Sequence, residues 1–349
     1  MPEDPNKIFS AAEKHRVKSR FLSAIPLYVK AYELSGSDVA LKADSAFCLG
    51  DTCRMTGGFK TAARWYKEAH ALSLKIWKSG KAGGEAACLD ALVGLGLSKR
   101  AVGELTPALL IFNTCLGRYK KLGDMAGVAF TMWARAGALR LKGDIKGALK
   151  GFNDAKEIFR AHKDISGVGY CLTGLGGAHR VAGDYALSGK YYKDANRVFR
   201  GSRDTFGIAY SYCGIANSLR MTERFKESLE YFKKAKTNYK KIGDKVSYAY
   251  TLWGEGSAFL MLGKDAQAGK DFASAYKLFK ETGDRRGVVY CMISTGQIEF
   301  SRSCSKGVAT IKKALKEAEG LGIKTEARYA KEALKAMEKS PEKLPLNLA

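Results

Sequence analysis

Histidine is scarce: His15, His70, His162 and His179 are the whole set in 349 residues. None stands at metal-ligand spacing from another and no HExxH occurs, so a histidine-based zinc site has no material. His179, on an apolar helical pattern beside Arg180, reads as a core or surface residue. No glycine-rich loop lies between a strand and a helix, and no serine sits in a nucleophile elbow. The string Gly174-Leu-Gly-Gly resembles a phosphate loop only out of context, because it repeats a helix-contact column of its neighbours. An enzyme therefore has no positive case, and no cofactor is expected. Proline is also rare, with six in the chain, and no Ser/Gly/Pro-rich tract interrupts the middle. That removes the usual mark of a domain linker and favours one continuous architecture. There is no run of 18 apolar residues to span a bilayer. The acidic start, Met1-Pro-Glu-Asp-Pro, lacks the basic and then apolar blocks of a secretory leader. A soluble, cytoplasmic protein is the expectation. Cys48, Cys53, Cys88, Cys115, Cys171, Cys213, Cys291 and Cys304 form no CxxC pair and read as reduced thiols within apolar helical patterns.

What is abundant is positive charge. Lys and Arg number 59 against 35 Asp and Glu, a net +24. A field of that size attracts acidic proteins, nucleic acid or anionic surfaces, or it coats a soluble helical surface; it says nothing about fold. Apolar residues make up 46%, enough for a sizeable core.

The chain repeats itself. A shift of 40 residues aligns Gly123-Asp-Met-Ala-Gly-Val-Ala-Phe with the stretches that begin at Lys163, Arg203, Gly243 and Gly283. Each unit carries a small residue first (Ala12, Gly50, Gly96, Ala136, Gly176, Ala216, Gly256, Gly296). Twelve residues later comes a second small residue, four further a bulky one (Tyr28, Tyr66, Phe112, Phe152, Tyr192, Phe232, Phe272, Ile311), and three further another small one. Spacings of three and four put the last three columns on one helix face, where a large side chain packs between small ones. Gly103-Glu, Gly143-Asp and Gly183-Asp supply the turn inside a unit. Asp124, Asp164, Asp204, Asp244 and Asp284 stand where the next unit's first helix needs an N-cap. The units predicted are about 6–43, 44–83, 84–123, 124–163, 164–203, 204–243, 244–283 and 284–320. An amphipathic helix over 325–338 covers the last pair, making one domain over 1–339, and a disordered tail is expected at 340–349.

These columns resemble the tetratricopeptide repeat, whose small, small, bulky, small signature has this order and spacing. At 40 residues per unit they look like the longer repeats of LGN, rapsyn and kinesin light chains. The resemblance implies an all-α, right-handed superhelix of about eight pairs whose inner wall is made by first helices. On that helix, four residues after the small residue, stand Arg16, Arg54, Arg100, Arg140, Arg180 and Arg220. Six residues before it stand Phe130, Tyr170, Tyr210, Tyr250 and Tyr290, with Trp133 and Trp253 close by. Facing inward, these residues would give guanidinium forks for carboxylate or phosphate and rings for apolar anchors. Facing their neighbours, they would only stack repeats. Chaperone-binding members of the family hold a carboxylate with Lys, Asn and Arg. The comparable positions here run Phe47, Val93, Trp133, Thr173, Cys213 and Trp253, then Asp51, Leu97, Gly137, Gly177, Asn217 and Ser257. Only Asn217 fits, so that type of clamp is not expected. The functional expectation is a protein-interaction scaffold that binds an acidic peptide or protein segment in its groove. Single-stranded nucleic acid on the same wall is the alternative, and a peptide-sensing regulatory adaptor a further one.

Overall fold

Two apolar runs per unit, each broken by a residue that cannot continue a helix, close as two helices. The computed structural model describes residues 3–81 and 83–348; Met1, Pro2, Ala82 and Ala349 lie outside the described residues. Among the described residues there are seventeen α-helices and no strand. In chain order they are α1 (Pro5–Val17), α2 (Phe21–Leu34), α3 (Val39–Met55), α4 (Phe59–Lys78), α5 (Gly84–Ala101), α6 (Leu105–Leu122), α7 (Met125–Lys142), α8 (Ile145–Ala161) and α9 (Ile165–Ala182). They continue with α10 (Tyr185–Ser202), α11 (Thr205–Met221), α12 (Phe225–Ile242), α13 (Lys245–Met261), α14 (Asp265–Thr282), α15 (Arg285–Arg302), α16 (Cys304–Gly320) and α17 (Lys324–Lys339). These make eight pairs and a last single helix among the described residues, and α3 begins five residues before the predicted second unit at 44.

The turns are chemical stops. Gly103, Gly143 and Gly183 take φ of 89°, 90° and 90°, a left-handed backbone that a side chain would strain. Asp124, Asp164, Asp204 and Asp284 then accept from the amides of Gly127, Gly167, Gly207 and Gly287 at 2.8 to 2.9 Å, and cap α7, α9, α11 and α15. Each such cap contributes about 1 kcal/mol.

The bulky column is the core. Tyr66, Phe112, Phe232 and Ile311 are fully buried, and burial of one such side chain contributes roughly 2–3 kcal/mol. The hole around each ring spans two first helices. A Cβ added at Gly50 would meet the Tyr66 ring at 2.7 Å, and one at Gly94 on the next first helix would meet it at 2.2 Å. Gly176 and Gly214 flank Tyr192 in the same way, at 2.9 and 2.1 Å. Gly174 presses on Phe152 from inside α9, as a helix contact and not a phosphate loop.

The described residues form two compact units, Met1–Arg135 with Lys240–Asp244 and Ala136–Tyr239 with Lys245–Ala349, and the division falls within α7. In the first unit α1 touches α3 and α3 touches α5; in the second α9 touches α11, α11 touches α13, and α13 touches α15. First helices therefore lie side by side within each unit. At the end of the second unit α17 packs on α15 and α16 and buries Tyr329, Ala330, Ala333 and Met337.

One expectation is corrected here. Residues 340–348 are ordered: Pro341–Lys343 make a single 3-10 turn, and the chain then runs on to hydrogen-bond Gln297 on α15 and Arg220 on α11. Two prolines forbid a helix in this stretch but leave its amides and carbonyls free for such partners.

Candidate functional site: the guanidinium column

The arginine column comes from one sequence rule, four residues after the first small residue, and it divides by what stands three residues earlier. For Arg16 and Arg54 in the first unit that position is acidic. Arg16 forms a two-point pair with Glu13 at 2.8 and 2.6 Å, and Tyr28 donates to the same carboxylate. Arg54 reaches Asp51 at 3.1 Å and the Tyr66 hydroxyl at 3.1 Å, while Tyr66 donates to Asp51 at 2.6 Å. The second set is a closed triangle of phenol, carboxylate and guanidinium; in the first, phenol and guanidinium share the carboxylate. The Arg16 guanidinium and, after burial's opposing effect, the Tyr28 hydroxyl hold the Glu13 carboxyl below its usual range. Arg100, with Leu97 three residues before it, donates to the Ala134 carbonyl at 3.1 Å and lies over Trp133, 5.5 Å from the ring centre.

In the second unit the same position is Gly137, Gly177 or Asn217. Among the described residues no carboxylate lies within ion-pair distance of Arg140, Arg180 or Arg220. Arg140 rests on α9, where a Cβ at Gly177 would come within 2.7 Å of its Nη1. Buried atoms Arg140 Nε, Arg180 Nη1 and Arg220 Nε have no hydrogen-bond partner. Arg180 sits among the phenols of Tyr192, Tyr290 and Tyr329. Arg220 is fully buried, 5.3 Å above the Trp253 ring, and donates from Nη2 to Asn217 Oδ1 at 3.3 Å. Burial, and then the Arg180 guanidinium beside it, push Arg220 down to about 9.

Segment 340–348 supplies what that guanidinium holds. Arg220 Nη2 donates to the Leu348 carbonyl at 2.8 Å, and Nη1 donates to the Asn347 side-chain oxygen. Asn347 returns a hydrogen bond from Nδ2 to the Arg220 backbone carbonyl at 2.9 Å, and the Leu346 amide donates to Gln297 Oε1 at 2.6 Å. Leu348 is buried.

The aromatic column packs. Tyr170 donates to Asp204, the N-cap of the next first helix, at 2.8 Å, and its ring lies 4.9 Å from Phe199. Tyr250 lies 4.6 Å from Phe279 and Tyr210 stacks on Phe206 at 6.3 Å. Tyr290 and Trp253 are 4.5 Å apart, both buried, and Trp253 donates to Ser294 at 2.9 Å. In the first unit Phe130 stacks on Trp133. Of the ringed candidates, Trp253 and Tyr290 join the arginines of the second unit, whereas Tyr170 ties to the next unit's cap and Tyr210 lies on a ring of its own helix.

Sequence reasoning missed four participants. Arg286 pairs with the buried Glu326 of α17 at 2.7 Å and donates to the Tyr290 hydroxyl at 3.0 Å, with Tyr329 beside it. Gln297 is the fourth. It stands in the column that holds Glu13, Asp51 and Asn217, so its position alone groups it with them.

Neither a protein-family model nor a curated protein sequence matches the chain. Solved structures do. A Rap protein complexed with competence and sporulation factor superposes with a TM-score of 0.63 at 13% identity, covering 98% of this chain and 89% of that one. The Rap conjugation gene regulator of plasmid pLS20, in complex with the Phr* peptide, gives 0.63 at 12% identity and 98% of both chains. A signal transduction ATPase with a tetratricopeptide repeat sensor from Pyrococcus horikoshii gives 0.52 at 16% identity, covering 95% of this chain and 50% of that one. The chain thus has a tetratricopeptide-type helical-repeat solenoid fold. No helix among the described residues is long and apolar enough to cross a membrane.

Proposed function

We propose that the chain is a non-enzymatic repeat adaptor that binds a peptide or protein segment on the inner face of its second unit, with acidic groups of that segment taken by Arg140, Arg180 and Arg220. The observation that carries this reading is the lack, among the described residues, of a carboxylate beside these three, where Arg16, Arg54, Arg118 and Arg286 each have one. A buried cation without a counter-ion costs on the order of several kcal/mol. An incoming carboxylate recovers part of that through charge-assisted, two-point hydrogen bonds. The two Rap structures, described as holding a competence and sporulation factor and a Phr* peptide, lend support to a peptide as the occupant of such a repeat. Compared with the column read from sequence, the proposed site contracts to Arg140, Arg180, Arg220, Asn217, Trp253 and Tyr290. Arg54 and Arg100 spend their donors inside the first unit.

Single-stranded nucleic acid is the weaker reading. Bases need open ring faces to stack on, and Trp253 and Tyr290 are only 4% and 3% exposed.

The test is selection of short random peptides on the full chain and on Arg180→Ala. Enrichment of Asp and Glu on the wild type, with affinity reduced roughly tenfold or more in the variant, is expected. Enrichment indifferent to Arg180 overturns the acidic site. Tight binding of a single-stranded oligonucleotide with a steep loss on added salt would put the nucleic-acid reading in its place.

A further inference from the structure

A fully buried guanidinium in a groove needs an acceptor, and here part of the supply comes from the chain itself. Arg220 on α11 and Gln297 on α15 grip residues 346–348 through main-chain atoms at both ends, the Leu346 amide and the Leu348 carbonyl. Between them the Asn347 side chain pairs with both the guanidinium and the backbone carbonyl of the same arginine. Recognition of that kind reads an extended peptide by its backbone, with one side-chain amide fixing the register. Leu348 is buried beside it, so burial of its apolar side chain adds to the grip.

We infer that residues 341–348 are a ligand in cis, and that the site they fill is built for an extended peptide with an asparagine set between two apolar residues. The inference rests on the reading of the second unit's inner face as a peptide site and narrows its ligand class. The segment is short and tethered to α17, so its effective concentration at the site is on the order of millimolar. A contact too weak to matter between separate molecules is then largely formed. A partner must displace the segment, and the structure leaves it a means. Within this segment the one acidic side chain, Glu342, is exposed on the 3-10 turn, while Arg180, next to Arg220, has a buried Nη1 without a partner. A peptide that repeats the Leu-Asn-Leu grip and adds a carboxylate for Arg180 satisfies one more donor than the cis segment does. The self-held segment acts as a threshold, excluding backbones that bring no acid.

The experiment uses the full chain. A fluorescent peptide, Ser-Pro-Glu-Lys-Leu-Pro-Leu-Asn-Leu, is titrated into wild type and into a double variant, Asn347→Ala with Leu348→Lys, that releases the cis segment. Binding to the released chain roughly tenfold or more tighter than to wild type is expected, and it should be lost again when Gln297→Ala is added. Hydrogen exchange in unmodified protein is the second readout. The Leu346 amide and its neighbours should exchange at least about tenfold more slowly in wild type than in Arg220→Ala. Equal peptide binding by wild type and released chain, or exchange of 344–348 at free-peptide rates in wild type, overturns the cis ligand. Two outcomes separate this inference from the reading beneath it. A released chain that ignores this peptide yet binds acidic peptides through Arg180 removes the cis ligand alone. One that binds this peptide but is indifferent to acid removes the acidic site alone.

Discussion

The arginine column is arranged differently at Arg16 and Arg54 of the first unit and at Arg140, Arg180 and Arg220 of the second, and one neighbouring position separates the two sets. Where Glu13 or Asp51 stands three residues before it, the guanidinium is a strut: it shares that carboxylate with a buried phenol, and its charge is paired. Where that position is Gly137, Gly177 or Asn217, the guanidinium keeps free donors, and Arg220 turns one pair of them on residues 347 and 348. On the proposed reading, a repeat protein differentiates a binding region from a supporting one without altering its packing, by removing one carboxylate per helix.

The largest effect should come from reversing the first case. Asp51→Ala leaves Arg54 and the Tyr66 hydroxyl without their shared acceptor and should cost about 2–3 kcal/mol in denaturant unfolding. Arg180→Ala, which breaks no ion pair, should cost less than about 1 kcal/mol. Equal costs would erase the distinction between strut and donor. Next in size is a test of what the units share. Gly94→Ala against Tyr66 and Gly214→Ala against Tyr192 put a Cβ 2.2 and 2.1 Å from a ring. Both should lose about 1–3 kcal/mol by overpacking. A large inequality between them would mean that the units differ in packing as well as in charge.

A gentler substitution converts one unit's chemistry into the other's. Asn217→Asp keeps the shape and gives Arg220, now 3.3 Å from the Asn217 oxygen, a carboxylate at the spacing that Arg54 has to Asp51. Affinity for acidic peptides should fall roughly tenfold, and residues 344–348 should exchange faster. Unchanged affinity would detach Arg220 from the site.

The repeat columns, the turns and the caps were legible because they are steric and periodic: a glycine at φ near 90° or an Asp before a helix has few other uses. The split in the arginine column was present in the sequence too, in the change from Glu13 and Asp51 to Gly177 and Asn217. It shows only when two columns three residues apart are read as one pair. The tyrosines read as anchors because a phenol at that position looks inward. Tyr170 instead spends its hydroxyl on Asp204, the cap 34 residues ahead. The course of residues 340–348 was not legible at all. Their partners lie 49 to 128 residues away in the chain, and backbone-directed contacts leave no side-chain pattern.

The smallest effect concerns the opposite sign of charge. The second unit also holds an acid without a cation: Asp271 on α14 has a buried Oδ2 with no partner, while nearby Glu255 takes Lys236. Burial first, and then the Glu255 charge, push Asp271 up to about 6. The folded chain therefore holds its proton between about pH 4 and 6, where the unfolded chain has lost it. Stability must fall as pH rises through that window and stay lower above it. Asp271→Asn removes the penalty, so its melting temperature should match wild type near pH 4 and exceed it by a few degrees above pH 6. A constant gap across the whole range would mean that the variant acts through packing, and that the unpaired charges of the second unit are confined to its arginines.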